Sequence, residues 1–388
     1  MPVVMGSDTG TPCGPAMGPG IRVLHVIPTG LGRGAQLFAR ALVDQLGGLG
    51  GGHRLVSLFD GEDDVAVDDA LGLPGGASAA SGLHPGAIAT LASRLRHFDY
   101  DVVVAHGGDA FKYVALSCRS PILYCVIGTW PQGAHQSARR VLWRALARRA
   151  AVAAAVSDDV ADECRDVLAL PSARIMVIPN GRDDRRYVPA PRPADHPPTL
   201  LFVGHLTHGK RPHLFVRLVE RLRADGHAVA ARMVGAGPLE SQLVSDAARA
   251  GIEMLGWTPD VVPELQKADV FVFPSAPEGE GMPGVLIEAG LCELPAVSTR
   301  VAGASTVIDD GATGLLVPVD DFGALVDATA ELIVHPARRL AMGAAARRRC
   351  EEHFSLEVVA SRWEEVLRAV TTRHAHSRRV GATARPAR

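Results

Sequence analysis

Apolar and polar positions along the chain follow two alternating periods. Short apolar runs bounded by Gly, Pro or Asp read as buried parallel strands, and the stretches between them carry the three-to-four spacing of amphipathic helices. In the first half this predicts strands at 21–28, 54–59, 101–105, 121–127, 151–156 and 175–179, with helices at 35–46 and 87–97 and an Arg-rich helix before the strand at 151. Residues 61–85, acidic and then rich in Gly and Ala, read as a long loop. The second half repeats the rhythm, with strands at 200–203, 229–234, 253–255, 270–273, 296–298 and 315–317, and it ends on a helix at 356–370 with no strand after it. Residues 182–198 hold five prolines and many charges, which marks a linker. Two successive βα arrays predict an α/β protein of two doubly wound, Rossmann-like domains facing a cleft. The expected boundaries are 21–181 and 199–355, with 1–20 a disordered leader and 371–388 a basic disordered tail.

Composition narrows the class. The chain has 388 residues, enough for two domains, and 47% hydrophobic with 21% charged residues suits a packed globular protein. A formal net charge of −2 argues against nucleic acid as a partner. The six cysteines are scattered, with no C-x-x-C pair and no zinc-ligand spacing, so reduced thiols in a cytoplasmic protein are expected. Residues 1–20 lack the basic n-region of a signal peptide, and no run of 18 apolar residues predicts a membrane span. The pairs Asp63-Asp64, Asp183-Asp184 and Asp320-Asp321 sit in loops or the linker without convergent partners, so no metal and no resident cofactor are expected.

The most informative stretch is Glu280-Gly-Met-Pro-Gly-Val-Leu-Ile-Glu288, after the strand pattern Asp269-Val-Phe-Val-Phe-Pro274. Strand, Gly-rich turn and helix follow one another there, and Pro283 gives a helix-start signal. Free backbone N–H groups at such a helix start suit a phosphate. Acidic side chains beside them suit sugar hydroxyls, so Gly281, Met282, Pro283, Gly284 and Val285 with Glu280 and Glu288 describe a nucleotide-sugar site. Three other turns carry phosphate-like glycines. Gly30-Leu-Gly32-Arg-Gly34-Ala35, with Asp60 ending the second strand, fits a dinucleotide fingerprint and keeps an NAD-dependent oxidoreductase open. Gly204-x4-Gly209-Lys210 has the spacing of a P-loop, but Arg211-Pro212 replaces the magnesium-binding Ser or Thr. Gly235-Ala-Gly237 is the third turn.

Glu280-x7-Glu288 in this setting resembles the E-x7-E motif of the retaining glycosyltransferases of family 4, which have the GT-B fold. Gly32-Arg-Gly34-Ala35-Gln36 resembles that family's G-G-A-E/Q loop, Gly204-His205 through Lys210-Arg-Pro its V-G-R-L-t-x-x-K-R-P segment, Gly235-Ala-Gly237-Pro-Leu-Glu its G-x-G-p-l-e turn, and Asn180-Gly181-x-Asp183 its N-G-V-D. The resemblance covers most of residues 21–370. It implies sugar transfer from a UDP- or GDP-sugar to a sugar, glycolipid or small-molecule acceptor with retention, in cell-envelope polysaccharide or glycolipid synthesis. It implies that Lys210 and the 281–285 amides hold the diphosphate, that Glu280 orients the sugar and Glu288 the ribose, and that Trp257 lies near the base. It also implies that Gly34 approaches the diphosphate from across the cleft, that Gln36, His106 and Thr129 face the acceptor, and that the last helix packs back on the first domain.

Two departures stand out. His205 occupies the place of an arginine, and Ile127 the place of a histidine that touches the donor sugar, so either Thr129 substitutes for it or that contact is absent. They leave a non-catalytic donor-binding subunit as an alternative. The segment with Arg139, Arg140, Arg144, Arg148, Arg149 and Trp143 puts Arg140, Arg144 and Arg148 on one stripe, and six arginines follow Glu365. Basic stripes of this kind suit peripheral contact with an anionic membrane at its cytoplasmic face. A solvated helix face and a disordered tail explain the same pattern with no partner.

Overall fold

A computed structural model of the chain describes residues 20–48, 52–61, 64–75, 82–130, 138–191 and 196–383. The expected leader, apart from Gly20, and the end of the expected tail, 384–388, lie outside the described residues. The first sheet comprises β1 (Arg22–Ile27), β2 (Gly52–Ser57), β3 (Asp69–Ala70), β4 (Val102–His106), β5 (Ile122–Val126), β6 (Ala150–Ala155) and β7 (Ile175–Val177). Its order is β3-β2-β1-β4-β5-β6-β7, parallel throughout. It is flanked by α1 (Gly34–Gly48), α2 (Pro85–Arg94), α3 (Gly108–Ser117), α4 (Ala138–Ala147) and α5 (Asp158–Asp166). The second sheet comprises β8 (Thr199–Val203), β9 (Ala230–Val234), β10 (Glu253–Met254), β11 (Val270–Phe273), β12 (Ala296–Thr299) and β13 (Gly314–Val317), in the parallel order β10-β9-β8-β11-β12-β13. Helices α6 (Pro212–Ala224), α7 (Glu240–Arg249), α8 (Val262–Lys267), α9 (Gly284–Leu291), α10 (Ala304–Val307), α11 (Phe322–Val334) and α12 (Pro336–Phe354) accompany it, and α13 (Leu356–Thr383) ends the described chain. Strand order reverses between β1 and β4 and again between β8 and β11, so each sheet opens a crevice at its carboxyl edge.

The strands are buried on both faces, which is why they read as continuous apolar runs. In β11, Phe271 and Phe273 join the core that runs through the first domain and α9, while Val270 and Val272 join a second core under α6 and α11. Three elements differ from expectation. The 61–85 loop contains β3, two residues that extend the edge of the sheet beside Val56 and Ser57. Helix α3 carries no amphipathic signal because Ala110–Ala115 are all buried, with Phe111 stacked on Tyr124 at 3.9 Å. Helix α13 runs on to Thr383, through residues expected to belong to a disordered tail; no Gly or Pro interrupts the sequence from 356 until Gly381.

The chain crosses between the sheets twice, side by side. Arg182 N–H donates to Phe354 O at 2.9 Å and Leu356 N–H donates to Arg182 O at 2.8 Å. Beyond the crossing, α13 buries Val359, Ala360, Trp363, Val366, Leu367 and Val370 in the core of the first domain.

Candidate active site

The turn from β11 into α9 carries Glu280, which is charged yet only 8% exposed. A buried carboxylate must be paired. Its Oε1 accepts from Lys210 Nζ, and from Ser275 Oγ at 2.5 Å. Lys210 ends a short 3-10 turn after β8, and its ammonium lies 4.9 Å from the centre of the Phe273 ring. The turn itself is held by the carbonyl of Gly209, which accepts from Ala276 N–H at 2.7 Å. Two strands that are neighbours at the switch point, β8 and β11, thus bring Lys210 and Glu280 together. On α9, one turn into the helix, Glu288 Oε1 accepts from Arg182 Nε at 2.6 Å. The amides of Gly284 and Val285 open α9 and have no carbonyl of their own helix to bond.

The same turn is pressed against the first domain. A Cβ on Gly281 would stand 2.3 Å from the Ile127 carbonyl oxygen, so only glycine fits there. Ser157 Oγ donates to Gly281 O at 2.8 Å, and Asn180 Nδ2 donates to Met282 O at 3.1 Å. Met282 and Pro283 are buried between the domains. Thr129, expected on the acceptor side, braces this turn instead: its N–H donates to Glu280 O at 3.1 Å and its Oγ1 accepts from Gly279 N–H at 3.3 Å. The Ile127 side chain packs over Gly107.

Across the crevice, the loop before α1 leaves Gly34 open, with nothing within 4 Å of where a Cβ would be. The amide of Gly32 is already taken by Asp64 Oδ2 at 2.8 Å. A dinucleotide pyrophosphate at this loop would meet that carboxylate, which removes the physical basis of the NAD fingerprint. Gln36 is half-buried in the first turn of α1. His205 rests its ring on Gly237, where a Cβ would lie 2.6 Å from Cδ2. Partial burial first, and then the positive charges of Arg33 and Lys210, lower the His205 pKa below its ordinary value. Gly235 N–H donates to Gly256 O at 2.8 Å, and Trp257, just beyond, is 63% exposed.

A family model described as "Glycosyltransferase Family 4" matches residues 32–186, and one described as "Glycosyl transferases group 1" matches 197–335. The chain belongs to glycosyltransferase family 4. WcaL of Escherichia coli K12, named as a colanic acid biosynthesis glycosyltransferase, is 29% identical over 297 residues, covering 70% of this chain and 71% of that one. A GDP-mannose-dependent phosphatidylinositol monomannoside mannosyltransferase of Mycolicibacterium smegmatis is 29% identical over 217 residues, and the match spans 51% of this chain and 57% of that one. HepE of Anabaena, solved with UDP and glucose, superposes with a TM-score of 0.74 at 19% identity over 89% of this chain and 99% of that chain. Sucrose-phosphate synthase of Thermosynechococcus elongatus gives 0.77 at 18% identity over 91% and 99%. These likenesses establish the GT-B fold.

Within this glycosyltransferase, the structure corrects one expectation besides Thr129. His106 does not face the cleft: it is 2% exposed, its Nε2 lies 3.0 Å from His25 Nδ1, and Trp363 of α13 covers it. The returning helix buries the carboxyl end of β4 on that face. Two arginines of the stripe, Arg140 and Arg144, are engaged within the fold. Arg140 and Arg144 donate to the last carbonyls of α5, at Asp166 and Val167, and Arg149 donates to Ala115 and Cys118 at the end of α3. Arg148 remains exposed, and the side chain of Arg139 lies outside the described residues. Sequence reasoning missed Ser275, Arg182 and Asp64. Ser275 was visible only as the residue after Pro274 ahead of the E-x7-E stretch, Asp64 only as half of a loop acid pair, and Arg182 as the variable position of Asn180-Gly181-x-Asp183.

Proposed function

We propose that this glycosyltransferase moves a sugar from a UDP- or GDP-sugar to an acceptor in polysaccharide or glycolipid synthesis, with retention of anomeric configuration. The observation that carries the proposal is the grouping of Lys210, Glu280 and Ser275 beside the amide end of α9, with Glu288 on the same helix. As the nucleoside diphosphate departs, charge builds on its phosphate oxygens. Lys210, held at the cleft, and the first-turn amides of α9 stabilise that charge. Glu280 accepts from sugar hydroxyls and Glu288 from the ribose.

Glu280 already accepts from an ammonium and a hydroxyl, which makes it a poor nucleophile. That supports attack of the acceptor oxygen on the face the diphosphate leaves. The new C–O bond forms as the C–O bond to phosphate breaks, and the acceptor proton passes to a phosphate oxygen. The relatives' names, which include a GDP-mannose enzyme, and the UDP-bound neighbours support a nucleotide diphosphate sugar as the donor. Incubation with a library of UDP- and GDP-sugars and acceptors, followed by mass spectrometry and NMR of the anomeric proton, tests the proposal. Transfer with inversion would overturn the retaining part. Donor binding without transfer to any acceptor would leave a donor-binding subunit.

A further inference from the structure

Arg182 is where the two domains and a donor-site carboxylate meet. Its backbone lies in the double crossing between the sheets, bonded on one side to Phe354 and on the other to Leu356. Its side chain runs into the second domain. Nε donates to Glu288 Oε1 at 2.6 Å, Nη1 donates to Gly181 O at 2.9 Å, and Nη2 lies against Gly284 at the start of α9, where any Cβ would overlap it. The Arg182 and Glu288 side chains are 12% and 13% exposed, so the pair is largely out of water. A cation at the amino end of a helix opposes the helix dipole. The position therefore needs an anion, and Glu288 is the one paired with it among the described residues.

We propose that Arg182 is a positioning residue of the donor site. It holds Glu288 by Oε1, leaves Oε2 to accept from a ribose hydroxyl, and ties that grip to the crossing between the two domains. The ligand class is a nucleoside diphosphate with both ribose hydroxyls present. The inference rests on the donor-site reading above. Without Arg182, Glu288 would lose its hydrogen-bonded cation and gain a free choice of rotamer, with only the more distant charge of Arg186 nearby, and the ribose would lose its oriented acceptor.

The test is calorimetric titration of UDP, GDP and their 2′-deoxy counterparts into the wild-type protein, Arg182→Val, Arg182→Lys, Glu288→Gln and the double variant Arg182→Val/Glu288→Gln. The preference for ribo over deoxy ligand is the readout. It is independent of the folded fraction, because both ligands meet the same sample. Arg182→Val should lower that preference about tenfold, the scale of one charge-assisted hydrogen bond. Arg182→Lys should keep part of it. The double variant should be no worse than Glu288→Gln alone, since the two residues act as one unit. A wild-type preference in Arg182→Val would overturn the role of Arg182 and leave the donor site standing. Failure of the wild-type protein to bind any nucleoside diphosphate would overturn both.

Discussion

At the residue scale the site depends on Glu280, a charge kept where water is scarce. Lys210 is its counter-ion and, in the proposed mechanism, also the cation facing the leaving group, and the two roles separate by mutation. Lys210→Ala should abolish transfer and also destabilise the fold by roughly 3–5 kcal/mol, because it strands a buried carboxylate. Adding Glu280→Gln should restore thermal stability without restoring transfer. Melting temperatures and product assays on the two variants check this; activity regained together with stability would mean Lys210 acts only as a counter-ion. His205 poses a different question. Its pKa is lowered, so above its ordinary range the ring is neutral in the free protein, and it charges only as pH falls. Arginine keeps its charge at every working pH. His205→Arg should therefore tighten nucleoside-diphosphate binding at pH 7–8, with the gain shrinking towards pH 5. A gain that does not vary with pH would show that His205 does not face the leaving group.

At the element scale, the return of α13 explains the most unusual part of the core. Its Trp363 covers His106, the end of a row of three imidazoles across β2, β1 and β4: His53 Nδ1 lies 3.1 Å from His25 Nε2, and His25 Nδ1 lies 3.0 Å from His106 Nε2. Burial pushes His106 down to about 3 and His53 down to about 4. His25 is lowered by burial first, then by its two histidine neighbours and by Arg40 on α1. All three are neutral in the folded protein near neutral pH. In the unfolded chain each takes up a proton as pH falls through about 6.5. The unfolded state then binds more protons, so stability should fall as pH drops from about 6.5 towards 4, by about 1.4 kcal/mol per pH unit for each imidazole that stays neutral. His25→Leu should flatten that dependence by close to one proton. Chemical denaturation between pH 7 and pH 4.5 measures it, and equal slopes for the two proteins would contradict a buried neutral His25. Helix α4 shows the same economy of contact, since its Arg140 and Arg144 complete the carboxyl end of α5, and Arg149 just beyond it completes that of α3.

At the scale of the whole molecule, two parallel sheets present their switch points to each other, and the E-x7-E turn of one is clamped by Ile127, Thr129, Ser157 and Asn180 of the other. In the proposed mechanism, charge stabilisation is distributed over Lys210 and the amides of α9. Chelation should leave turnover unchanged, because that stabilisation comes from an ammonium and oriented dipoles. Assays in EDTA, with and without added Mn²⁺ or Mg²⁺, check this; loss restored by metal would assign the diphosphate to a cation still to be located.

The strand–turn–helix around Glu280 was legible because every signal in it is local: an apolar run, a glycine-rich turn, a proline at the helix start. The same holds for both βα arrays and for the family motifs, which depend on short windows of backbone geometry. The partners of the two glutamates were not legible. Lys210 is 70 positions from Glu280, and Arg182 is 106 from Glu288. His106 sits in a sequence context that suits a cleft residue, and Arg140 and Arg144 in one that suits a lipid surface. Their fates were decided by α13 closing over β4 and by α5 ending beside α4. Periodicity and turn chemistry act between neighbours along the chain, so sequence determined where strands, helices and phosphate-like turns form. Desolvation and ion pairing act between surfaces that meet only after folding, so the tertiary structure alone decided which charges are buried, paired or left facing the donor.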